Sequence, residues 1–312
     1  MNETRRAILE AIGDGPVSGP EIAEELDISR AAVWKQIDAL REAGFEIEGG
    51  TSGYELTAVT AYNGPAVEYG LEAPFSIEYH DAIGSTNDRA RELATDGASD
   101  VGVLADEQTG GRGRLERAWT APSGGVWLSL VTRPSVAPAR APLYTLAASV
   151  ATARAAREAG VDARIKWPND VVVPVGDDGG YRKLAGILTE MEGETDRIAW
   201  LVVGIGVNAN VDADALPPEA TSIRAEAGDV DRRAFVQRLL EEFDRFRTDL
   251  EDVVPAWREL ALTLGQRVRV ERPTDELVGE AVDVTESGAL VVETDDGRET
   301  VSAGDCEHLR PR

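Results

Sequence analysis

The segment from Gln108 to Trp119 reads QTGGRGRLERAW and combines glycines with closely spaced arginines. Glycines let the backbone close over a ligand, and the amides of such a loop can approach an anion. Arg112 and Arg114 are two residues apart, so both side chains can face one side of an extended loop. Guanidinium groups match carboxylate and phosphate oxygens in bidentate fashion. The segment therefore predicts a site for an anionic ligand, such as a nucleotide phosphate or an acyl phosphate.

Two further segments contain lysine, which is rare here: Lys35, Lys166 and Lys183 are the only three in the chain. In Lys166-Trp167-Pro168-Asn169-Asp170, a proline turn after a strand presents an amide and a carboxylate. These groups suit a metal–nucleotide complex or the polarisation of a nucleophile. Lys183 opens the apolar stretch Lys183–Glu190, so its ammonium is expected to reach a cleft and neutralise charge at a phosphoryl centre.

Two more motifs carry small or hydrogen-bonding residues. Ser85-Thr86-Asn87 stands at a predicted helix start and suits a neutral polar ligand, with simple helix capping as the alternative. Gly204-Ile205-Gly206-Val207-Asn208 matches part of a dinucleotide fingerprint, but the prolines at 217–218 follow where a helix should begin. A Rossmann site is therefore not predicted, and the chain has neither a Walker P-loop nor a nucleophile elbow.

Composition excludes several classes of protein. The chain has 312 residues, 57 acidic and 32 basic side chains, a net charge of −25, one cysteine and two histidines. An internal disulfide, a cysteine-cluster zinc site and a histidine-rich metal site are excluded. Neither a membrane-length apolar run nor a secretory signal is present, so a cytoplasmic location without membrane contact is expected. Acidic excess with little lysine favours adaptation to a high-salt cytoplasm, as in halophiles; an ordinary acidic protein is the alternative.

Residues 1–60 predict a winged helix-turn-helix. The pattern indicates a helix over Glu3–Ile12, two more capped by Ser18 and Ser29, and a short hairpin after Gly44. The third helix is expected to enter the DNA major groove. Its contact residues are predicted to be Ser29, Arg30, Trp34 and Lys35. Residues 1–57 carry five basic and twelve acidic side chains, so a protein-docking module is the alternative.

The rest of the chain predicts a linker and two further domains. Residues 58–72 lack a clear apolar period and indicate a linker. Residues 70–262 alternate strands and helices, and several strands follow one another without a helix between them. This order favours an α+β domain with a mixed or antiparallel sheet and helices on one side. Residues 263–312 contain short alternating strands separated by turns, which predict a small SH3-like β-barrel.

The five motifs, in this order and between these flanking domains, resemble the biotin protein ligases of the bifunctional type that also repress biotin operons. The resemblance covers essentially the whole chain. It implies that the carboxylate of biotin attacks the α-phosphate of Mg-ATP, and that a lysine of a biotin carboxyl carrier domain then attacks the biotinyl-5′-adenylate. Biotin, ATP and Mg²⁺ are the implied ligands, with Mg²⁺ carried by ATP. The implied partners are the carrier domain, operator DNA and a second copy of the chain in a ligand-linked homodimer.

The resemblance also implies residue roles. Lys183, Arg112, Arg114 and Asp170 are the expected catalytic residues, with Asp170 and Asn169 serving the nucleotide, its metal or the incoming lysine. The biotin head is expected to meet Ser85, Thr86, Asn87 and Gln108. The remaining expected ligand-binding residues are Gly111, Gly113, Trp119, Lys166, Gly186, Gly204, Gly206 and Asn208.

Two features depart from the family pattern, and two alternatives stay open. Leu115 stands where some relatives have a basic residue, and the turn at 176–180 is longer than usual. A lipoate ligase on the same fold is one alternative. A biotinyl-adenylate-sensing repressor without ligase activity is the other.

Overall fold

The N-terminal segment folds as the predicted winged helix-turn-helix. The structure, a computed structural model, describes residues 1–114, 117–176, 180–272 and 275–309. Ser18 and Glu21 form the predicted capping box, and Ser29 accepts the Ala32 N–H. Ile8 and Ile37 lie in a core separate from the rest of the molecule. The elements are α1 (Glu3–Gly13), α2 (Gly19–Glu25), α3 (Arg30–Glu42), β1 (Phe45–Gly50) and β2 (Gly53–Val59).

The predicted linker is wrong as a description of residues 58–72. Strand β2 continues to Val59, and α4 (Gly64–Glu68), capped by Asn63, is largely buried. Asn63 Nδ2 donates to the Ala43 carbonyl oxygen at 2.9 Å, and Gln237 Nε2 donates to the Tyr69 carbonyl oxygen at 2.7 Å. The segment is therefore packed against both neighbours. Its few apolar residues form no period because α4 is barely one turn long.

Seven strands of the described chain form the predicted mixed sheet. Their order is β3-β4-β5-β9-β8-β7-β6; β3 and β4 run parallel, and the other neighbouring pairs are antiparallel. Residues 164–166 and 170–175 form two strands, because the chain turns at Trp167-Pro168-Asn169 between them and proline has no N–H for a ladder. The strands are β3 (Ser76–Ile83), β4 (Val101–Gln108), β5 (Val126–Thr132), β6 (Arg164–Lys166), β7 (Asp170–Val175), β8 (Gly180–Gly193) and β9 (Ile198–Val207).

Helices cover both faces of this sheet, so the prediction of helices on one side is wrong. Val103 packs with Ala90 of the helix that starts at Thr86, whereas Leu104 packs with Leu143 of a helix on the opposite face. Strand β5 is buried along its whole length, so its sequence shows no alternation of apolar and exposed polar residues. The helices are α5 (Thr86–Thr95), α6 (Pro142–Glu158), α7 (Ile223–Ala227), α8 (Arg232–Thr248) and α9 (Val253–Leu260).

In the described part of the C-terminal segment, five strands form an antiparallel sheet in the order β13-β12-β11-β10-β14. Strand β14 was not predicted because it is short and Cys306 is its one buried apolar residue. No described helix is both long and apolar enough to cross a bilayer. The strands are β10 (Arg267–Glu271), β11 (Glu276–Val284), β12 (Leu290–Thr294), β13 (Gly297–Val301) and β14 (Asp305–His308).

Candidate functional site

A cavity of about 280 Å³ lies where the end of β4 and the start of α5 meet strands β8 and β9 and the loop after Gln108. All but two of the predicted ligand-binding and catalytic residues line it, although the five motifs are spread over more than 120 positions of the sequence. The lining residues among those predicted are Ser85, Thr86, Asn87, Gln108, Arg112, Gly113, Arg114, Trp119, Asn169, Asp170, Lys183, Gly186, Gly204, Gly206 and Asn208.

Glycines on the two central strands make room for the cavity. A Cβ at Gly204 would lie 2.1 Å from Asn87 Oδ1, and a Cβ at Gly206 would lie 3.0 Å from Trp119 Nε1. At Gly186, a Cβ would lie 3.3 Å from both the Trp119 ring and Lys183 Nζ. Residues two apart on a strand share a face, so Gly204 and Gly206 face the same side of the sheet. The spacing of Gly204 and Gly206 therefore reflects their close packing against Asn87 and Trp119. In the described chain, these glycines are not followed directly by the helix of a dinucleotide-binding site.

One wall of the cavity is neutral and polar. Ser85 caps α5 by accepting the Asp88 N–H at 3.3 Å, so the capping role is present while the residue also lines the cavity. Gln108 Oε1 accepts the Thr86 N–H at 2.8 Å. Asn87 Nδ2 donates to Glu190 Oε2 at 2.8 Å. Glu190 does not line the cavity, and the sequence analysis gave it no role although it ends the Lys183–Glu190 stretch.

Other side chains that line the cavity are charged. Lys183 Nζ lies 2.7 Å from Asp170 Oδ1 in an ion pair that lacks hydrogen-bonding angles, and 5.0 Å from the centre of the Trp119 ring. Arg112 forms an ion pair with Asp88. Arg114 Nη1 donates to Asn169 Oδ1 at 3.1 Å. This concentration of cations in a strongly acidic chain suits an anionic ligand.

Three polar atoms at the cavity are buried without a hydrogen-bond partner in the described residues. One is Asp170 Oδ1, which is ion-paired with Lys183. The other two are the Asn208 carbonyl oxygen, Oδ1, and the Trp119 indole nitrogen, Nε1. Asn208 Nδ2 is engaged by the Thr221 carbonyl oxygen at 2.9 Å, which fixes the orientation of the amide. Buried polar groups are normally paired, so an acceptor and a donor are available here to a bound molecule.

Lys166 and Gly111 do not line the cavity. Lys166 is buried behind it, with Nζ 3.9 Å from Asp170 Oδ2 and 5.7 Å from the centre of the Tyr181 ring. Burial, reinforced by the Asp170 charge, raises the pKa of Tyr181 to about 12. The Gly111 carbonyl oxygen accepts the Trp119 N–H at 2.9 Å, which folds the glycine-rich loop back on itself. Leu115 lies outside the described residues.

The C-terminal sheet and a proline-containing loop also contribute to the cavity. Asp305 lines it and forms a 2.7 Å ion pair with Arg117. The 216–220 loop contacts the start of β8, where the Lys183 N–H donates to the Glu219 carbonyl oxygen at 2.8 Å. Sequence patterns gave no signal that Asp305 or the 216–220 loop would line the cavity. The unpredicted lining residues are Arg117, Ala118, Thr120, Leu128, Ile187, Leu188, Ile205, Leu216, Pro217, Glu219, Ala220 and Asp305.

The predicted DNA-contacting residues lie on and before α3. Ser29 is its N-cap, and Arg30 and Lys35 are exposed. Trp34 is 59% exposed, unusual for so large an apolar side chain. These residues thus share a surface-facing helix that is available to a partner.

Comparisons with protein-family models divide the chain in the same way. The HTH domain model matches residues 4–55. The biotin/lipoate A/B protein ligase family model matches residues 81–208. The biotin protein ligase C-terminal domain model matches residues 263–309.

Relatives that match over most of the chain, and a solved structure, point to the same family as these models. The bifunctional ligase/repressor BirA of Bacillus subtilis is 34% identical over 95% of this chain and 94% of its own. The protein of the same description from Escherichia coli is 30% identical over 89% of this chain and 88% of its own. The structure of Aquifex aeolicus biotin protein ligase in complex with biotin and ATP matches with a TM-score of 0.61 and 25% identity, covering 75% of this chain and 99% of that one.

Proposed function

The chain belongs to the family of bifunctional biotin ligases and repressors, and on that premise we propose how its residues carry out both functions. The protein is a biotin–protein ligase that also represses transcription. Its substrate is the biotin carboxyl carrier domain of a biotin-dependent carboxylase, and its regulatory target is operator DNA. The observation that carries the mechanism is the cavity, which brings neutral polar side chains and cationic side chains together around one space.

In the first step, a carboxylate oxygen of biotin attacks the α-phosphorus of ATP, the bond to pyrophosphate breaks, and biotinyl-5′-adenylate forms. We assign Arg112 and Arg114 to the biotin carboxylate and the phosphate, whose negative charges they offset. Lys183 donates to the acyl and phosphoryl oxygens as charge develops there. Asp170 holds the Lys183 ammonium in place through their ion pair. Ser85, Thr86 and Gln108 receive the biotin head at the polar wall.

The nucleotide occupies the end of the cavity near Asn208 and Trp119, whose unpartnered polar atoms support this placement. Mg²⁺ arrives with ATP. Oxygen ligands suit Mg²⁺, and Asp170 and Asn169 supply a carboxylate and an amide to this wall.

In the second step, the neutral amine of the carrier lysine attacks the acyl carbon of the adenylate. An amide bond forms, AMP leaves with the electrons of the acyl–oxygen bond, and the amine loses a proton. Asp170 and Asn169 face the same wall as Lys183 and are our candidates for guiding the incoming amine. An activated serine or cysteine is not required by this scheme.

We assign residues 1–60 to DNA binding, residues 70–262 to catalysis and residues 263–312 to an SH3-like barrel. Arg30 and Lys35 contact phosphates or bases, Trp34 lies between them, and Ser29 orients the helix. We also propose a ligand-linked homodimer and adaptation to high salt, which the charge of −25 and the scarcity of lysine support.

The test is covalent biotin incorporation into a carrier domain, measured with Mg-ATP at several molar KCl. Incorporation that disappears in Lys183→Ala establishes the ligase. A folded protein that binds biotin without transferring it indicates the sensor-only repressor. Transfer of lipoate in place of biotin indicates the related ligase on this fold. Sedimentation with and without biotin and ATP tests the dimer.

A further inference from the structure

Two side chains outside the cavity determine which groups of its polar wall donate and which accept. We propose that Glu190 and Ser129 are positioning residues that fix the hydrogen-bonding polarity of the site for the biotin head. The inference rests on the proposed function, because it concerns how the cyclic urea of biotin is recognised. Neither residue lines the cavity, and neither was predicted to bind ligand, although Glu190 ends the Lys183–Glu190 stretch.

The argument begins at Glu190, whose Oε2 accepts from Asn87 Nδ2 at 2.8 Å. Arg91 Nη1 lies 3.6 Å from the other oxygen of this carboxylate, Glu190 Oε1. A carboxylate offers lone pairs and no hydrogens, so Asn87 must turn its NH₂ toward Glu190 and its carbonyl oxygen toward Ser129. Nδ2 also lies 3.5 Å from the Leu188 carbonyl oxygen. The Asn87 amide is thus engaged within the protein, although Asn87 lines the cavity.

Through Ser129, the orientation of the Asn87 amide determines whether the Thr86 hydroxyl donates or accepts. It is fully buried, and its Oγ lies 2.6 Å from Asn87 Oδ1 and 2.8 Å from Thr86 Oγ1. Its single hydroxyl proton goes to Asn87 Oδ1, because a carbonyl oxygen can only accept. Ser129 therefore turns lone pairs toward Thr86, and the contact between the two hydroxyls needs the proton of Thr86.

The result at the wall is an acceptor beside a donor. The Thr86 proton goes to Ser129, because no other proton is available for that contact, and Gln108 Oε1 lies within reach of the same hydroxyl at 3.0 Å. The proton therefore stays within the protein, and Thr86 Oγ1 offers lone pairs to a ligand. Gln108 Oε1 already accepts the Thr86 N–H at 2.8 Å, so the Gln108 NH₂ is the group left to donate. A cyclic urea presents the complement, an N–H next to a carbonyl oxygen.

Replacing the Glu190 carboxylate with an amide removes the constraint. In Glu190→Gln, the new side chain offers both a donor and an acceptor, so the Asn87 amide can reverse. Ser129 can then donate to Thr86, so Ser129 no longer requires the Thr86 proton, which can turn to Gln108 Oε1 or into the cavity. The wall loses its defined acceptor and should bind the ureido N–H less well.

Calorimetric titration of the full chain with biotin, without ATP, tests the proposal independently of ligation. Glu190→Gln should weaken biotin binding roughly tenfold, the effect of disturbing one ligand hydrogen bond. Glu192→Gln is the matched control: Glu192 lies two residues along the same strand, is exposed, and has no hydrogen bond or ion pair within the described chain. Its dissociation constant should match that of the wild type.

An exchange of the two groups separates polarity from a general effect on folding. Asn87→Asp alone sets two carboxylates against each other and should bind biotin poorly. Combining Asn87→Asp with Glu190→Gln restores one amide and one carboxylate, and the carboxylate introduced at position 87 again accepts from Ser129. The double variant should recover most of the affinity lost in Asn87→Asp.

Equal binding by Glu190→Gln and Glu192→Gln would overturn the proposal, as would a double variant no better than Asn87→Asp. If Glu190→Gln does not fold, Ser129→Ala serves as the second variant. It removes the central hydroxyl of the hydrogen-bond series from Glu190 to Thr86 and must weaken biotin binding. Wild-type protein that fails to bind biotin would overturn the proposed function and this inference together. Wild-type binding with an unaffected Glu190→Gln would overturn the inference alone.

Discussion

Arg114 Nη2 donates to the carbonyl oxygen of Gly304 at 2.8 Å, so the glycine-rich loop is tied to the C-terminal sheet across the cavity. The same guanidinium donates from Nη1 to Asn169 Oδ1. One planar side chain therefore joins the loop, the turn after β6 and the segment before β14. The C-terminal sheet is part of the wall of the site and not an independent appendage.

This bridge predicts that Arg114→Lys is not a conservative change. Lysine keeps the charge, but its ammonium cannot span both acceptors in the geometry of the guanidinium fork. We expect the KM for ATP to rise and kcat/KM to fall by about tenfold or more, the loss of one to two charge-assisted hydrogen bonds. Initial rates of biotin transfer over a range of ATP concentrations check this. Unchanged ATP kinetics would contradict the bridging role.

Lys183→Ala should lower the rate of adenylate formation by about 100-fold or more, because it removes a cation from the phosphoryl centre. Biotin binding without ATP should change much less, since the biotin head contacts the other wall. Arg182→Ala is the control: the neighbouring cation pairs with Glu226 and does not line the cavity. Biotin-dependent exchange of pyrophosphate into ATP measures the step. Equal rates in the two variants would contradict the assignment.

Gly204→Ala should damage the biotin site directly. The added methyl would lie 2.1 Å from Asn87 Oδ1, and that amide is held by Glu190 and Ser129. We expect a loss of about 1–3 kcal/mol in stability from overpacking, together with weaker biotin binding. Gly50→Ala provides the comparison, since its nearest neighbour would be 3.9 Å away. Thermal melting measures the stability of both variants, and titration with biotin measures their affinity. Equal values for Gly204→Ala and Gly50→Ala would contradict this prediction.

Stability should fall in mild acid because of His308. Burial lowers the pKa of His308 to about 4, and the nearby Lys166 acts in the same direction. As the pH falls below 6.5, His308 becomes protonated in the unfolded chain but stays neutral in the folded chain. The free energy of unfolding is therefore highest above pH 6.5 and decreases as the pH falls toward 4. The loss is about 3 kcal/mol for a shift of this size.

Replacing His308 with glutamine should reduce this loss, since glutamine does not titrate and can still meet the Thr263 hydroxyl, which lies 3.0 Å from His308 Nε2. Urea unfolding at about pH 7.5 and about pH 4.5, on either side of the ordinary histidine pKa, gives the comparison. His80→Gln, in a partly exposed position on β3, serves as the reference variant. An acid sensitivity equal to that of the wild type in His308→Gln would rule out this residue as the cause.

Lys35→Ala should weaken operator binding without changing biotin transfer. Lys35 is exposed on α3 and far in sequence from every cavity residue. Loss of one phosphate contact should reduce the slope of log K against log salt by about 1. Fluorescence anisotropy with the protein's own upstream DNA at several KCl concentrations measures both quantities. An unaltered slope would mean that Lys35 makes no phosphate contact.

The sequence alone determined the parts that local chemistry controls. Capping by Ser18 and Ser29 and the apolar period of the first three helices are local signals, and the winged helix followed from them. The five ligand-binding motifs were recognisable because each needs particular side chains at short spacing. In the folded chain these residues line one cavity, with the exception of Lys166 and Gly111, and their roles there remain our proposal.

Tertiary structure decided whatever depends on contacts between distant segments. The helices on both faces of the sheet were missed because strands buried on both sides lose the alternation that reveals a face. Glu190, Ser129 and Asp305 were missed because each acts through a partner remote in sequence, Asn87 or Arg117. A hydrogen bond between side chains 103 positions apart leaves no periodic trace in the chain, since only the folded sheet brings its donor and acceptor together.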